Sequence, residues 1–263
     1  MTSLAQRTIP FSAAFNVRDL GGLPTRDGVV RRGALYRADG LHRLPEDDVA
    51  RLRAVGIRTV VDLRTHQELG DAGRLTADDI TVVHLPVLRT IWSGEVDDAS
   101  DAVEFLVARY VEMLTEGAAA ISGVFDLVGS QRCRPLAFHC SAGKDRTGVV
   151  AALVLSALGA SDDVIADDYQ CSAAAMQRLV DWITTHRPEA ADTMAKQPSA
   201  FLECPREAMH GFLDEVRARH GSVIGYLASI GVTEAQLRGL RTALVEPRSR
   251  RSDVGLLRRD DVG

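Results

Sequence analysis

Cys140 and Arg146 stand six positions apart, with Ser141, Ala142, Gly143, Lys144 and Asp145 between them and Thr147 and Gly148 following. A thiol and a guanidinium at this spacing suit phosphoryl transfer. The small residues let backbone N–H groups converge on one point, and Gly143 allows the chain to turn closely. Such a nest at a helix N-terminus binds a phosphate dianion. The same amides favour a thiolate, so Cys140 is expected to attack phosphorus, giving a phosphocysteine. Arg146 can grip two equatorial oxygens in a bidentate fork that lysine could not reproduce. The Thr147 hydroxyl could donate to the sulfur. A tyrosyl leaving group has a pKa of about 10, so the reaction needs a general acid. Asp145 is the nearest candidate, protonating the leaving oxygen and then activating water. Its side chain must point into the pocket for this; the competing reading is an ion pair with Arg146. The scheme requires no metal or other cofactor.

The elements around the loop are legible in the hydrophobic pattern. Pro135–Phe138 is a short apolar run ending at His139 and predicts a central strand. Thr147–Leu158 is almost wholly apolar and predicts a buried helix closed by Gly159. His139 then reads as orienting the loop through hydrogen bonds. Upstream, Val29–Arg37, Ile57–Leu63 and Ile80–Leu85 read as strands, and Pro45–Val55 as a helix with an acidic first turn and Gly56 as its stop. Asp101–Thr115 and Ala118–Val128 carry helical periodicity, and Ser161 to about Val245 reads as helical, with a capping box at Thr233 and Gln236. Strands alternating with helices, then helices alone, predict an α/β fold: a central sheet flanked by helices. One domain over residues 1–246 and a frayed tail over 247–263 are expected. The C-terminal helical elaboration, around Asp162–Ala218, could cover the site; a lid and plain packing are both open.

Composition bounds the rest. The chain has 263 residues, 46% hydrophobic and 25% charged, enough for a real core. A net charge of −5 gives no broad pull toward nucleic acid or an anionic membrane. No apolar run reaches the roughly 18 residues of a membrane helix, so no stable membrane insertion is expected. No ordinary signal peptide is visible, so the expected location is cytoplasmic, or secreted without a cleaved signal. Cys133, Cys140, Cys171 and Cys204 form no CxxC pair, which favours a reduced compartment. Only Lys144 and Lys196 among the 31 basic residues are lysines, and one of them lies in the loop.

The decamer HCSAGKDRTG, residues 139–148, resembles the signature loop of cysteine-dependent protein tyrosine phosphatases. More narrowly it is similar to the atypical bacterial group with an HCxAGKDRTG loop, the mycobacterial phosphatase B type. Phe15-Asn16-Val17-Arg18-Asp19-Leu20-Gly21-Gly22, Leu35-Tyr36-Arg37-Ala38, Val61-Asp62-Leu63-Arg64 with Glu68, and Gly221-Ser222-Val223-Ile224-Gly225-Tyr226-Leu227 resemble further segments of that group. His220 stands where the group has tyrosine. The resemblance implies a phosphatase-type, mostly parallel sheet of four or so strands, Cys140 as nucleophile and Arg146 as phosphate binder, with Ser141, Ala142, Gly143, Lys144 and Thr147 around the substrate. It implies a phosphotyrosine protein as substrate, with phosphoserine, phosphothreonine or a phosphoinositide also in range. Lys144 occupies the place of the lysine in lipid 3-phosphatase loops, and Asp145 that of the loop aspartate in myotubularin-like enzymes.

Other readings stay in view. No separate acid loop of the WPD kind is evident, and Asp97, Asp98 and Asp101 are alternatives to Asp145. Asn16, Arg18 and Asp19 read either as a turn anchored by side-chain hydrogen bonds or as part of the pocket. Asp62 and Arg64 read as an internal ion pair, with Arg64 at the rim as the lesser reading. Cys133 reads as a thiol outside the site, a disulfide with Cys140 being the alternative. Met176, Trp182 and Phe212 read as helix core, or as a channel lining under a lid. The rival functions are a phosphoinositide phosphatase, a non-catalytic phosphate-binding module of the same fold, and a sulfur-transfer or arsenate-reducing enzyme.

Overall fold

A computed structural model describes residues 3–92, 102–189 and 201–247. Its centre is a five-stranded sheet in the order β1-β3-β6-β4-β5, formed by β1 (Arg18–Asp19), β3 (Leu35–Ala38), β6 (Leu136–His139), β4 (Thr59–Asp62) and β5 (Thr81–His84). The last four named run parallel, and β1 adds antiparallel at the edge beside β3. Every residue of β3, β4 and β6 is buried, as expected for parallel strands covered on both faces. The register aligns Ala38 with His139, and His139 with Asp62. The C-terminal ends of the three central strands therefore meet at one edge, where ligands bind in open α/β sheets.

Helices cover both faces. On one side α1 (Glu46–Ala54) buries Val49 and Leu52 against Tyr36, Ala38 and Val60. The larger layer holds α3 (Ala102–Glu116), α4 (Ala118–Gly129), α5 (Asp145–Ala157), α6 (Asp162–Gln170), α8 (Arg206–His220), α9 (Val223–Ser229) and α10 (Glu234–Leu244). Of these α5 is buried without a break from Thr147 to Leu155, which its apolar sequence demands. Two further helices, α2 (His66–Ala72) and α7 (Ser172–His186), flank the loop end of the sheet. Capping boxes open α2 at Thr65 and Glu68, and α10 at Thr233 and Gln236.

The strand expected over Val29–Arg37 is two strands. β2 (Val29–Val30) pairs antiparallel with β7 (Val245–Glu246), and the chain turns before β3. Gly33, at φ +67°, is the reason: that conformation cannot continue a strand. α5 starts at Asp145, two residues earlier than the apolar run, so Asp145 lies in its first turn. Asp97, Asp98 and Asp101, and the tail from residue 248, lie outside the described residues. Cys133 and Cys140 are free thiols at opposite ends of β6. Four strand residues separate their ends by about 13 Å, beyond the Cα spacing a disulfide spans. No helix among the described residues is long and apolar enough to cross a membrane.

Candidate active site

Residues 140–144 link the end of β6 to the start of α5, and the carbonyl oxygens of Cys140, Ser141, Ala142 and Gly143 each accept a hydrogen bond from a donor outside the loop. His139 Nδ1 donates to Cys140 O at 3.0 Å. Gly40 N and Arg43 Nη1 donate to Ser141 O at 3.1 and 3.2 Å. Asn16 Nδ2 reaches Ala142 O at 3.1 Å and Gly143 O at 3.0 Å, and Arg37 Nη2 reaches Gly143 O at 2.8 Å. Carbonyls engaged by donors around the loop leave its N–H groups for the other side, the arrangement that an anion nest requires. Gly143 has φ +67°, and a Cβ there would lie 2.6 Å from Ala38 O. Only glycine fits this turn. Cys140 sits at the floor, 2% exposed.

Arg146 is held by a residue to which the sequence assigned no role. Glu68, in the first turn of α2, accepts from both terminal nitrogens of Arg146, the Nη2 contact being 2.9 Å, and also from the Ser141 hydroxyl. Burial alone would raise the Glu68 carboxyl, but the hydrogen bond and charge of Arg146 hold it down at about 2. In turn, burial works against the Arg146 charge, while Cys140, Glu68 and Asp145 raise its pKa. A guanidinium has five N–H donors, so three remain beyond the two Glu68 uses.

Asp145 does not pair with Arg146 as its first partner. Its Oδ1 accepts from Tyr110 Oη at 2.7 Å and lies 3.5 Å from Lys144 Nζ. Tyr110 and Tyr169 hydroxyls are 2.6 Å apart. Because Tyr110 gives its one hydrogen to Asp145, Tyr169 is the donor to Tyr110. Burial, reinforced by the Asp145 charge, raises both phenols well above their ordinary value, so both keep their protons. Lys144 was expected at the substrate; its side chain is fully buried and faces Asp145. Thr147 was expected to donate to the sulfur; its single hydroxyl hydrogen goes to Ala38 O at 3.4 Å.

Beneath the loop lies a charge cluster. Asp168, on α6 and fully buried, pairs with Arg7 at 2.9 Å, Arg18 at 3.1 Å and Arg37 at 2.8 Å. Burial would raise its carboxyl, but Arg18, Arg37 and Arg7 together push it far below the carboxylate range. Three guanidiniums against one carboxylate leave a positive excess behind the loop, suited to an anion in front. Asn16 and Arg18 thus belong to the loop support, whereas Asp19 anchors a turn through Gly21 N and Gly33 N at 2.7 and 2.9 Å.

Asp62 and Arg64 form the internal pair, at 2.6 Å and fully buried, so Arg64 is not at the rim. Burial lowers the pKa of His139, Asp62 opposing, which leaves the ring neutral with Nδ1–H as donor to the loop. Met176 and Phe212 are core. Trp182 is not: it stacks on His186 at 4.8 Å, meets Phe15 at 6.4 Å, and carries the Arg43 guanidinium 5.7 Å over its ring. Since Arg43 also holds Ser141 O, this aromatic pair stands beside the loop.

The model of the tyrosine phosphatase family matches residues 9–246. The triple specificity protein phosphatase PtpB of Mycobacterium tuberculosis is 29% identical over 282 aligned positions, which cover 92% of this chain and 100% of that protein. A tyrosine-protein phosphatase of Nostoc commune is 28% identical, over 80% of this chain and 74% of its own. The solved structure of P. aeruginosa TpbA aligns with 75% of this chain and 86% of its own at 18% identity, with a TM-score of 0.33, too loose for detailed comparison. The match over nearly the whole described chain, together with a cysteine-floored anion loop, shows that this chain belongs to the tyrosine phosphatase family and is a cysteine-dependent phosphatase.

Proposed function

We propose that residues 1–246 act as one catalytic domain that hydrolyses phosphotyrosine in proteins, with Cys140, Arg146 and Asp145 as its catalytic residues. The carbonyls of Cys140, Ser141, Ala142 and Gly143, each engaged by a donor from outside the loop, are the observation that carries this reading. Cys140 Sγ attacks phosphorus as the bond to the tyrosyl oxygen breaks, and that oxygen takes a proton from Asp145. Water then attacks the phosphocysteine, giving its proton to Asp145 and releasing phosphate and the thiolate. Arg146, steadied by Glu68, and the inward N–H groups of Ser141, Ala142, Gly143 and Lys144 hold the equatorial oxygens throughout. Thr147 secures the loop to Ala38 from below. The Trp182 and Phe15 pair beside the loop supports an aryl phosphate over an alkyl one. The reducing state that Cys140 needs is met most simply in a cytoplasm.

Phosphoinositides are the second reading, supported by the relative named for triple specificity. The buried Lys144 lends it less support than its place in the loop suggested. The test is phosphate release from matched phosphotyrosine and phosphoserine peptides and phosphatidylinositol phosphates, with Asp145→Asn alongside wild type. The phosphotyrosine peptide should rank first. Asp145→Asn should slow alkyl phosphates by about 10²-fold or more, and activated aryl phosphates far less. Equal losses on both would remove Asp145 as the acid.

A further inference from the structure

At the opposite end of the central strands from Cys140 lies a pocket of about 450 Å³. It opens where β3, β6 and β4 begin, and its walls carry Arg31, Arg32, Arg58 and Arg134, with Gln131 and Thr242 as neutral polar neighbours. Among the described residues no carboxylate lines it. Glu246 stands nearby and pairs with Arg31 at 3.0 Å, both half exposed. Arg134 Nε is buried and without a hydrogen-bond partner, so a donor there awaits an acceptor. Burial lowers the pKa of Arg134, and the charge of Arg31 lowers it further, so like charges are gathered here rather than spread. The carbonyl end of α10 reaches one wall through Thr242 and Ala243; its half charge is small beside four guanidiniums.

We propose that this pocket is a second anion site, distinct from the catalytic loop, for a small phosphorylated ligand. Arg31 is offset by Glu246 and Arg32 faces the Asp19 carboxylate, so the four guanidiniums leave an excess of about two, the charge a phosphate dianion brings. Guanidinium forks match phosphate oxygens in pairs. The volume falls in the range of small-ligand pockets, about 300–1,000 Å³. The net charge of −5 opposes a long polyanion while leaving a recessed basic pocket open to a short one. A lipid headgroup and a soluble bisphosphate share this chemistry. Bound there, the ligand would sit one strand length, about 13 Å, from the catalytic loop.

The test is calorimetric titration of the full chain carrying Cys140→Ser with inorganic pyrophosphate at low salt. Two sites are expected. Adding Arg146→Ala should remove one, and adding Arg58→Ala with Arg134→Ala should weaken the other at least about tenfold per arginine. Arg58 is exposed, so Arg58→Glu serves as a variant that leaves the core untouched. In the wild-type background these changes should leave turnover of para-nitrophenyl phosphate unaltered. A parallel arm uses inositol 1,4-bisphosphate and phosphatidylcholine vesicles with or without phosphatidylinositol 4-phosphate. Arginine-dependent retention on the phosphoinositide vesicles assigns the lipid source, and binding of the soluble ligand alone assigns the free anion. A single pyrophosphate site lost with Arg146→Ala, or binding indifferent to Arg58 and Arg134, overturns the proposal.

Discussion

Glu68 shows how a single side chain sets the geometry of a reaction it does not perform. One oxygen of its carboxylate serves both Ser141 and Arg146, so loop and guanidinium are fixed relative to each other. Glu68→Gln keeps the shape but loses the charge and half of the fork. It should cut kcat/KM by about 10- to 100-fold while leaving Cys140 alkylation intact; an unchanged kcat/KM would show that Arg146 is positioned by the substrate instead. The residues of the decamer were legible because their roles depend on spacing along one loop. Glu68 stood in a segment of recognised resemblance yet had no role, because its partner lies 78 positions away and no local pattern joins them. Thr147 bonds Ala38 O and Lys144 faces Asp145 for a related reason: spacing puts a side chain near the loop, but packing decides which way it turns.

At the scale of elements, the functional unit is the turn from β6 into α5. Its conformation depends on Gly143, where φ is +67° and Ala38 O stands 2.6 Å from where a Cβ would be. Gly143→Ala should abolish measurable turnover while the thermal midpoint falls by only a few degrees, since the cost is confined to one turn, on the order of 1–2 kcal/mol. Activity within tenfold of wild type would mean that the loop has room the structure does not show. Strand and helix were readable here because a short apolar run, small residues and a long apolar run follow one another. The break between β2 and β3 was hidden because Val29–Arg37 keeps strand-like composition through Gly33. Trp182 was read as core from its helical spacing on α7, but only Ser172, Ala175, Met176 and Leu179 of that helix are buried. Periodicity marks a face, and its far end can extend past the body it packs on.

For the molecule as a whole, the Asp168 cluster joins the N-terminal segment, the sheet and α6. Arg7, Arg18 and Arg37 come from three separate stretches, and Asp168 is 131 positions from Arg37. In sequence Asp168 sits beside Asp162, Asp163 and Asp167, so nothing local set it apart. Asp168→Asn leaves three buried guanidiniums without their counter-charge and should cost about 3–5 kcal/mol, read from urea midpoints at pH 7. The pH dependence has a definite sign. The folded carboxyl lies far below its unfolded value of about 3.9, so its contribution is fully present above that pH and is lost progressively as pH falls from there through the folded value. Wild type should therefore lose stability more steeply than Asp168→Asn below about pH 4. Parallel acid curves would place the stabilising charge elsewhere.

The central claim, attack by Cys140 on phosphorus in a loop closed by Arg146, is tested most directly by acid-quenching the enzyme during turnover of a phosphotyrosine peptide. Mass spectrometry of the peptide that contains Cys140 should show one phosphate on sulfur, absent in Cys140→Ser and accumulating in Asp145→Asn with an activated aryl phosphate. Turnover with no phosphate on Cys140, or a phosphate that persists in Cys140→Ser, would contradict the account.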